Sequence, residues 1–206
     1  MPRGKIPLLS WTSETPDLDG KANEAFWQTA TRIELRDPWS TKAGMKTTIR
    51  IARDKQFLYV HSEAIAYGAV SPLKEKRKRD TKPEGDHIKL RIDVDRDYAS
   101  WFEIGWSVSG ESFDSVNEML QWNPTWYASM SNDTHSWSTE IAIPLEQLVV
   151  LGDDLTNDLT KDVWALNVTR TIPGEGAHSL APSISDQPAA DDWFLVDLGI
   201  RNGSTP

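Results

Sequence analysis

The stretch "DVDRDYASWFEIGW", Asp93 to Trp106, sets three carboxylates at alternate positions ahead of a segment with two tryptophans. Carboxylate oxygens are hard ligands that suit calcium. A loop of the EF-hand kind needs glycine at its sixth position and a bidentate glutamate at its twelfth. Counted from Asp93 these positions hold Tyr98 and Ile104, so that kind of site is excluded. The stretch reads as an Asp-rich turn closed by side-chain to backbone hydrogen bonds. Asp95 and Asp97 remain the candidate ligands of a looser structural calcium, and no other cofactor is expected. His61, His87, His135 and His178 are scattered with no pair at ligand spacing, whereas zinc needs converging donors. Cysteine is absent, which removes disulfides and thiolate metal sites. No G-x-S-x-G elbow marks a serine nucleophile. Glu103 and Glu140 are candidates for the paired carboxylates of glycoside hydrolysis. Both fall on polar strand faces and read as solvated side chains, so the chain is not expected to be an enzyme.

Ten tryptophans are the unusual part of the composition. Trp106, Trp137 and Trp164 share phase with aliphatic residues of their segments and read as core, and Trp27 reads as a core lid beside Phe26. Trp101 is out of phase with its apolar neighbours and shares a face with Glu103, while Trp122 and Trp126 bracket "NPT". Flat aromatics on a polar face or loop can stack on the apolar faces of sugar rings, whose edges need hydrogen bonds. Trp101, Trp122, Trp126 and Glu103 are therefore the candidate ligand contacts.

The elements that would hold these residues are strands. "TTIRIAR", "QFLYVHSEA", "HIKLRIDV", "WFEIGWSV", "WSTEIAIP" and "VWALNVTRTI" all alternate apolar and polar positions, the mark of half-buried antiparallel strands. Helical signal is confined to short turns within Gly20 to Ala30 and Pro144 to Leu148. The expected fold class is all-β: an antiparallel, jelly-roll-like β-sandwich with one or two short helical turns. Its expected limits are 15–200, with 1–14 an extension and 201–206 a tail. The chain of 206 residues has a net charge of -9, a poor match to a phosphate backbone. No nucleic-acid partner is expected. No run reaches the ~20 apolar residues of a membrane span, and "MPRGKIPLLSW" holds no apolar stretch of signal-peptide length. No membrane partner is expected and no compartment is indicated. "KEKRKR", Lys74 to Arg79, reads as a solvated loop. Sequons stand at Asn132, Asn167 and Asn202.

The order of segments resembles carbohydrate-binding module family 9 and its DOMON-like relatives. "PDLDGKANEAFWQTA" is similar to the family's opening block, and "TTIRIARDKQFLYVHSEA" to its hairpin block. "GDHIKLRIDVDRDYASWFEIGWSVSGESFDS" resembles the third block, with its D-x-D turn, and "SWSTEIAIPLEQL" the fourth. "WALNVTRTIPG" with "HSLAP" resembles the last. The resemblance covers about residues 15 to 199 and implies the same β-sandwich. It implies a non-catalytic glycan-binding domain linked to polysaccharide utilisation, with an enzyme as a possible partner. Sugar-binding members clamp a sugar between two tryptophans, and the matching positions here are Pro83 and Leu180. The family's strand glutamate corresponds to Lys89 and its arginine on the next strand to Glu103, a reversed pair expected to keep a salt link. Asn167 and Arg170 match the N-x-x-R signature. Arg170 shares phase with its strand's core residues, so it is expected to order the final loop. Lys89, Asn167 and Arg170 complete the candidate ligand set. The rival readings are an interaction domain that has lost sugar binding and a haem-binding DOMON-like domain. For the latter, Met45, Met119, Met130 and the histidines offer ligand types without a readable pairing.

Overall fold

The alternating segments form two six-stranded sheets packed face to face in the computed structural model. The structure describes residues 6–36, 46–66, 79–117, 122–148, 163–174, 176–180 and 188–199. The first sheet holds β1 (Ser10–Trp11), β2 (Thr31–Leu35), β3 (Thr47–Arg53), β4 (Phe57–Ile65), β8 (Tyr127–Asn132) and β9 (Ser136–Pro144). It runs in the order β1-β3-β4-β9-β8, with β2 also on β3. The second holds β5 (His87–Asp93), β6 (Phe102–Ser107), β7 (Ser112–Val116), β10 (Val163–Ile172), β11 (Gly176–Ser179) and β12 (Phe194–Asp197). It runs β11-β10-β5-β6-β7, with β12 also on β10. The short β1–β3 pair is parallel and the other strand pairs are antiparallel.

The core lies between the sheets and takes one phase of each strand. Ile49, Ile51, Val60, Ile141 and Ile143 of the first sheet share it with Ile88, Leu90, Ile92, Ile104, Leu166 and Val168 of the second. Trp106, Trp137 and Trp164 fill it too, as their phase predicts. Short 3-10 turns at Ala25–Gln28 and Leu145–Gln147 fall within the two stretches with helical signal. A third, Ala190–Asp192, had no such signal. Residues read as an N-terminal extension take part in the sandwich: Ser10 and Trp11 pair with Ala52 and Arg53. The tail, Lys74 to Lys78, Asn202, Met45 and Met119 lie outside the described residues, and Met130 sits in β8 against the core.

A buried ion pair crosses the sandwich. Arg170 of β10 is 0% exposed. Its Nε donates to Asp86 Oδ1 at 2.7 Å and its Nη2 to Asp86 Oδ2 at 2.5 Å. Nη1 donates to the Thr47 hydroxyl on β3 at 3.0 Å, and Nη2 also to the Ile65 carbonyl on β4 at 2.7 Å. Asp86 takes a further bond from the Trp137 indole of β9 at 3.2 Å. One guanidinium therefore ties β10 to Asp86 and to two strands of the opposite sheet. Arg170 orders the sandwich itself rather than the final loop, and it is too enclosed to touch a ligand.

The outer face of the first sheet is covered by the N-terminal segment. Glu140 of β9 accepts the N–H groups of Asp19 at 3.0 Å and Gly20 at 2.9 Å, and the Trp27 indole N–H at 3.0 Å. Burial pushes this carboxyl above its ordinary range, against those bonds. Gly20 has φ +86°, and a Cβ there would come within 2.5 Å of the Met130 carbonyl carbon. The "DLDG" turn can dock only with glycine at that point. His61 lies opposite Glu140 in the ladder, with its ring 5.6 Å from Trp27. Arg50 Nη1 donates to His61 Nδ1 at 3.1 Å. Burial first, then the Arg50 charge, pushes His61 down to about 4.

Two tests follow from these buried charges. Asp86→Ala leaves the Arg170 charge without its partner and should cost roughly 3–5 kcal/mol, read as a lowered urea midpoint. His61 is depressed in the folded state, so its contribution is whole above about pH 6.5 and is lost as pH falls toward 4. Over that window the wild type should lose on the order of 2–3 kcal/mol more stability than His61→Gln. Parallel pH profiles for the two proteins would contradict this.

Candidate binding face

The second phase of β5, β6 and β10 points away from the core and builds a polar row. Strand register places Arg91 opposite Glu103 on one side and Asn167 on the other. Arg91 Nε donates to Glu103 Oε2 at 2.6 Å, and its Nη1 to Asn167 Oδ1 at 3.4 Å. Asn167 Nδ2 then donates to the Asp192 carbonyl at 2.9 Å. Asp192 belongs to the third 3-10 turn, so residues 188–193 lie as a strap over the row. The strap is closed on itself by the Ala189 N–H donating to Asp192 Oδ2 at 2.9 Å. Lys89 sits one step along β5, opposite Gly105 and Thr169, and stays partly exposed. The Phe113 ring lies across Gly105, where any Cβ would overlap it. His87 Nδ1 donates to the Gly85 carbonyl at 2.7 Å. Burial pushes His87 below its ordinary value, against that bond.

An aromatic group adjoins the row. Trp101 is 6% exposed, with its ring 5.8 Å from that of Trp193. The two pack with Ala165 of β10, and Tyr98, partly exposed, lies 6.3 Å from Trp193. The indole N–H of Trp193 is buried without an acceptor among the described residues.

Tyr98 comes from the D-x-D turn. Asp93 takes the N–H groups of Arg96 at 2.6 Å and Tyr98 at 2.9 Å, one on each oxygen. Asp97 takes those of Ala99 at 2.7 Å and Ser100 at 2.8 Å. Arg96 and Tyr98 adopt positive φ to make this possible. Asp93, Asp95 and Asp97 bring one oxygen each within 4.8 Å of one another. Burial, its largest cause, pushes Asp93 up to about 6. The turn is a three-carboxylate corner that its own backbone N–H groups already serve, with oxygens of the type a hard cation takes.

Other candidates fall elsewhere. Trp126 is 8% exposed and belongs to the main core, and its indole donates to Asp114 Oδ1 at 2.9 Å. Arg79 Nη2 donates to the same oxygen at 3.0 Å and to the Pro124 carbonyl, fastening residues 122–126 along the edge between the sheets. Burial, above all, pushes Asp114 up. Trp122 is partly exposed on that edge, 4.7 Å from Phe102. Trp126 is thus enclosed rather than a platform facing solvent, while Trp122 keeps part of its surface exposed. Glu103 and Glu140 occupy outer faces of different sheets, so they cannot flank one glycosidic bond. Glu103 stands in register with Arg91 and pairs with it, an ion pair that the sequence reading did not anticipate. Asn167 is enclosed and its amide engaged, so its sequon is unusable. Leu180 packs on the main core and Pro83 precedes β5.

Arg91, Tyr98, Asp192 and Trp193 were not among the sequence candidates. Arg91 was legible in principle, since it shares phase with Lys89. Trp193 lies far from Trp101 in the sequence, and no local pattern joins the two.

No protein-family profile matches the sequence, and no curated protein matches it. Solved structures do. A family 9 carbohydrate-binding module from Caldicellulosiruptor kristjanssonii in complex with cellotriose superposes with TM-score 0.66 at 12% identity, over 98% of each chain. A module of that family and organism in complex with glucose gives 0.64 at 12% identity, over 98% of this chain and 99% of that one. A putative carbohydrate-binding protein from Bacteroides uniformis gives 0.63 at 11% identity, over 92% and 97%. The fold of this chain is therefore that of the family 9 modules. A DOMON-like relationship is not among these findings.

The polar row gives its own test. Arg91→Ala strands the Glu103 carboxylate beneath the strap and should cost roughly 3–5 kcal/mol. Glu103→Gln keeps an acceptor and should cost roughly 1–3 kcal/mol. Equal, small losses in urea unfolding would mean that the pair is not sealed from water.

Proposed function

We propose that this chain is a non-catalytic carbohydrate-binding domain whose glycan rests on the outer face of the second sheet. The observation that carries this reading is the juxtaposition there of a polar row and an aromatic group. Sugars need both an apolar surface for their C–H faces and fixed donors and acceptors for their hydroxyls. Lys89 is the partly exposed cation of this face, and Tyr98 is the partly exposed ring beside Trp101 and Trp193. Arg91, Glu103 and Asn167 hold the face in register from below. The fold shared with modules solved with cellotriose and glucose supports the same reading. Affinity belongs in the millimolar to micromolar range, about -4 to -8 kcal/mol. A role in polysaccharide utilisation, with an enzyme as partner, is part of the proposal.

A panel of soluble and insoluble glycans, followed by calorimetric titration of any hit, tests it. A saturable hit is expected, weakened about fivefold to tenfold in Lys89→Ala. Silence across the panel would favour an interaction domain without a sugar ligand. We propose in addition that the D-x-D corner takes calcium through Asp95 and Asp97, joined by Asp93. Millimolar calcium should then raise the unfolding temperature of the wild type and leave that of Asp95→Asn/Asp97→Asn where it was. No shift in the wild type would dispose of the site.

A further inference from the structure

We infer that the indole N–H of Trp193 donates a hydrogen bond to a bound pyranose, making Trp193 a ligand contact on the strap. The inference rests on the glycan-binding reading above and adds a residue to it. Buried polar groups in folded proteins are paired almost without exception, and a donor left without an acceptor is costly. Trp193 is 7% exposed and its Nε1 lies buried with no acceptor among the described residues. Four enclosed indoles elsewhere donate to named acceptors: Trp27 to Glu140, Trp126 to Asp114, Trp106 to Ser62 and Trp137 to Asp86. Trp193 stands at the candidate face. It directly follows Asp192, whose carbonyl caps Asn167, and its ring packs against Trp101 and near Tyr98.

A sugar hydroxyl or ring oxygen is an acceptor of the right strength, and the surrounding rings give its carbon skeleton an apolar seat. The donor is enclosed, so a sugar reaches it only when the strap lifts. Binding and movement of residues 188–193 are then one event.

Trp193→Phe separates this from a packing role, because it keeps a ring against Trp101 and removes the N–H. Titration of the best-binding glycan should show affinity lowered about fivefold to tenfold. The urea midpoint without glycan should be equal to or above that of the wild type, since an orphan donor has been removed. Unchanged affinity would overturn the inference and leave the glycan-binding reading standing. A clear loss of stability without glycan would also overturn it, by showing that the N–H has a partner in the free protein. Should the variant not fold, the indole ¹⁵N–¹H signal of Trp193 in the wild type decides. It should shift on saturation with glycan, and an unmoved signal contradicts the inference. A wild type that binds no glycan overturns both readings together.

Discussion

The bidentate pair between Arg170 and Asp86 is the interaction on which the rest of the structure depends. A sandwich of two sheets is held mainly by apolar packing, which is non-directional and leaves their relative position loosely fixed. A guanidinium with fixed fork geometry is directional. Its bonds to Asp86, Thr47 and Ile65 set where β10 stands relative to β3 and β4. The Trp137 indole on the same carboxylate adds β9. Asp86 immediately precedes β5, so this pair also fixes where β5 begins. The register of β5 against β6 and β10 then decides which residues meet on the outer face. Replacing such a pair by apolar groups need not cost stability, but removing one partner does. We read its value here as geometric.

The fold was legible because alternation is a local signal with a single reading when one face of a strand is buried. Ile88, Leu90 and Ile92 announce the inner face of β5, and the same phase rule places Arg170 inside. The candidate site was less legible. Trp101 was read as an exposed aromatic because it is out of phase with Phe102 and Ile104. The phase was right and the exposure was not: the outer face at that end is covered by Trp193, more than ninety residues away in sequence. Trp126 was read as a loop aromatic and is enclosed for the same kind of reason. Whether a loop faces solvent or closes the edge of a sandwich depends on Arg79 and Asp114, a contact between distant segments that no local pattern carries.

The charges on the outer faces are placed by register and enclosed by other stretches of chain. Lys89 and Glu103 were expected to form a salt link as a reversed pair. In the ladder Glu103 stands opposite Arg91, and the strap seals that pair from water. Sealing makes it a structural unit whose loss is costly. The outer face of the first sheet follows the same logic. Glu140 spends its oxygens on Asp19, Gly20 and Trp27, so a carboxylate that looked solvated is a clasp for the N-terminal segment. In both cases a charge on a polar strand face is enclosed by a later or earlier stretch of chain. Composition and phase foretell the charge but not the cover.

The central claim is that the glycan-binding surface is the outer face of the second sheet. Backbone amide chemical-shift mapping during a glycan titration addresses it most directly, because it locates the ligand without presuming any residue. The account predicts perturbations concentrated at Lys89, Arg91, Glu103, Asn167 and residues 188–193, with little change elsewhere. Perturbations confined to the 122–126 edge, or to the first sheet around Phe57 and the half-exposed Tyr127, would contradict it.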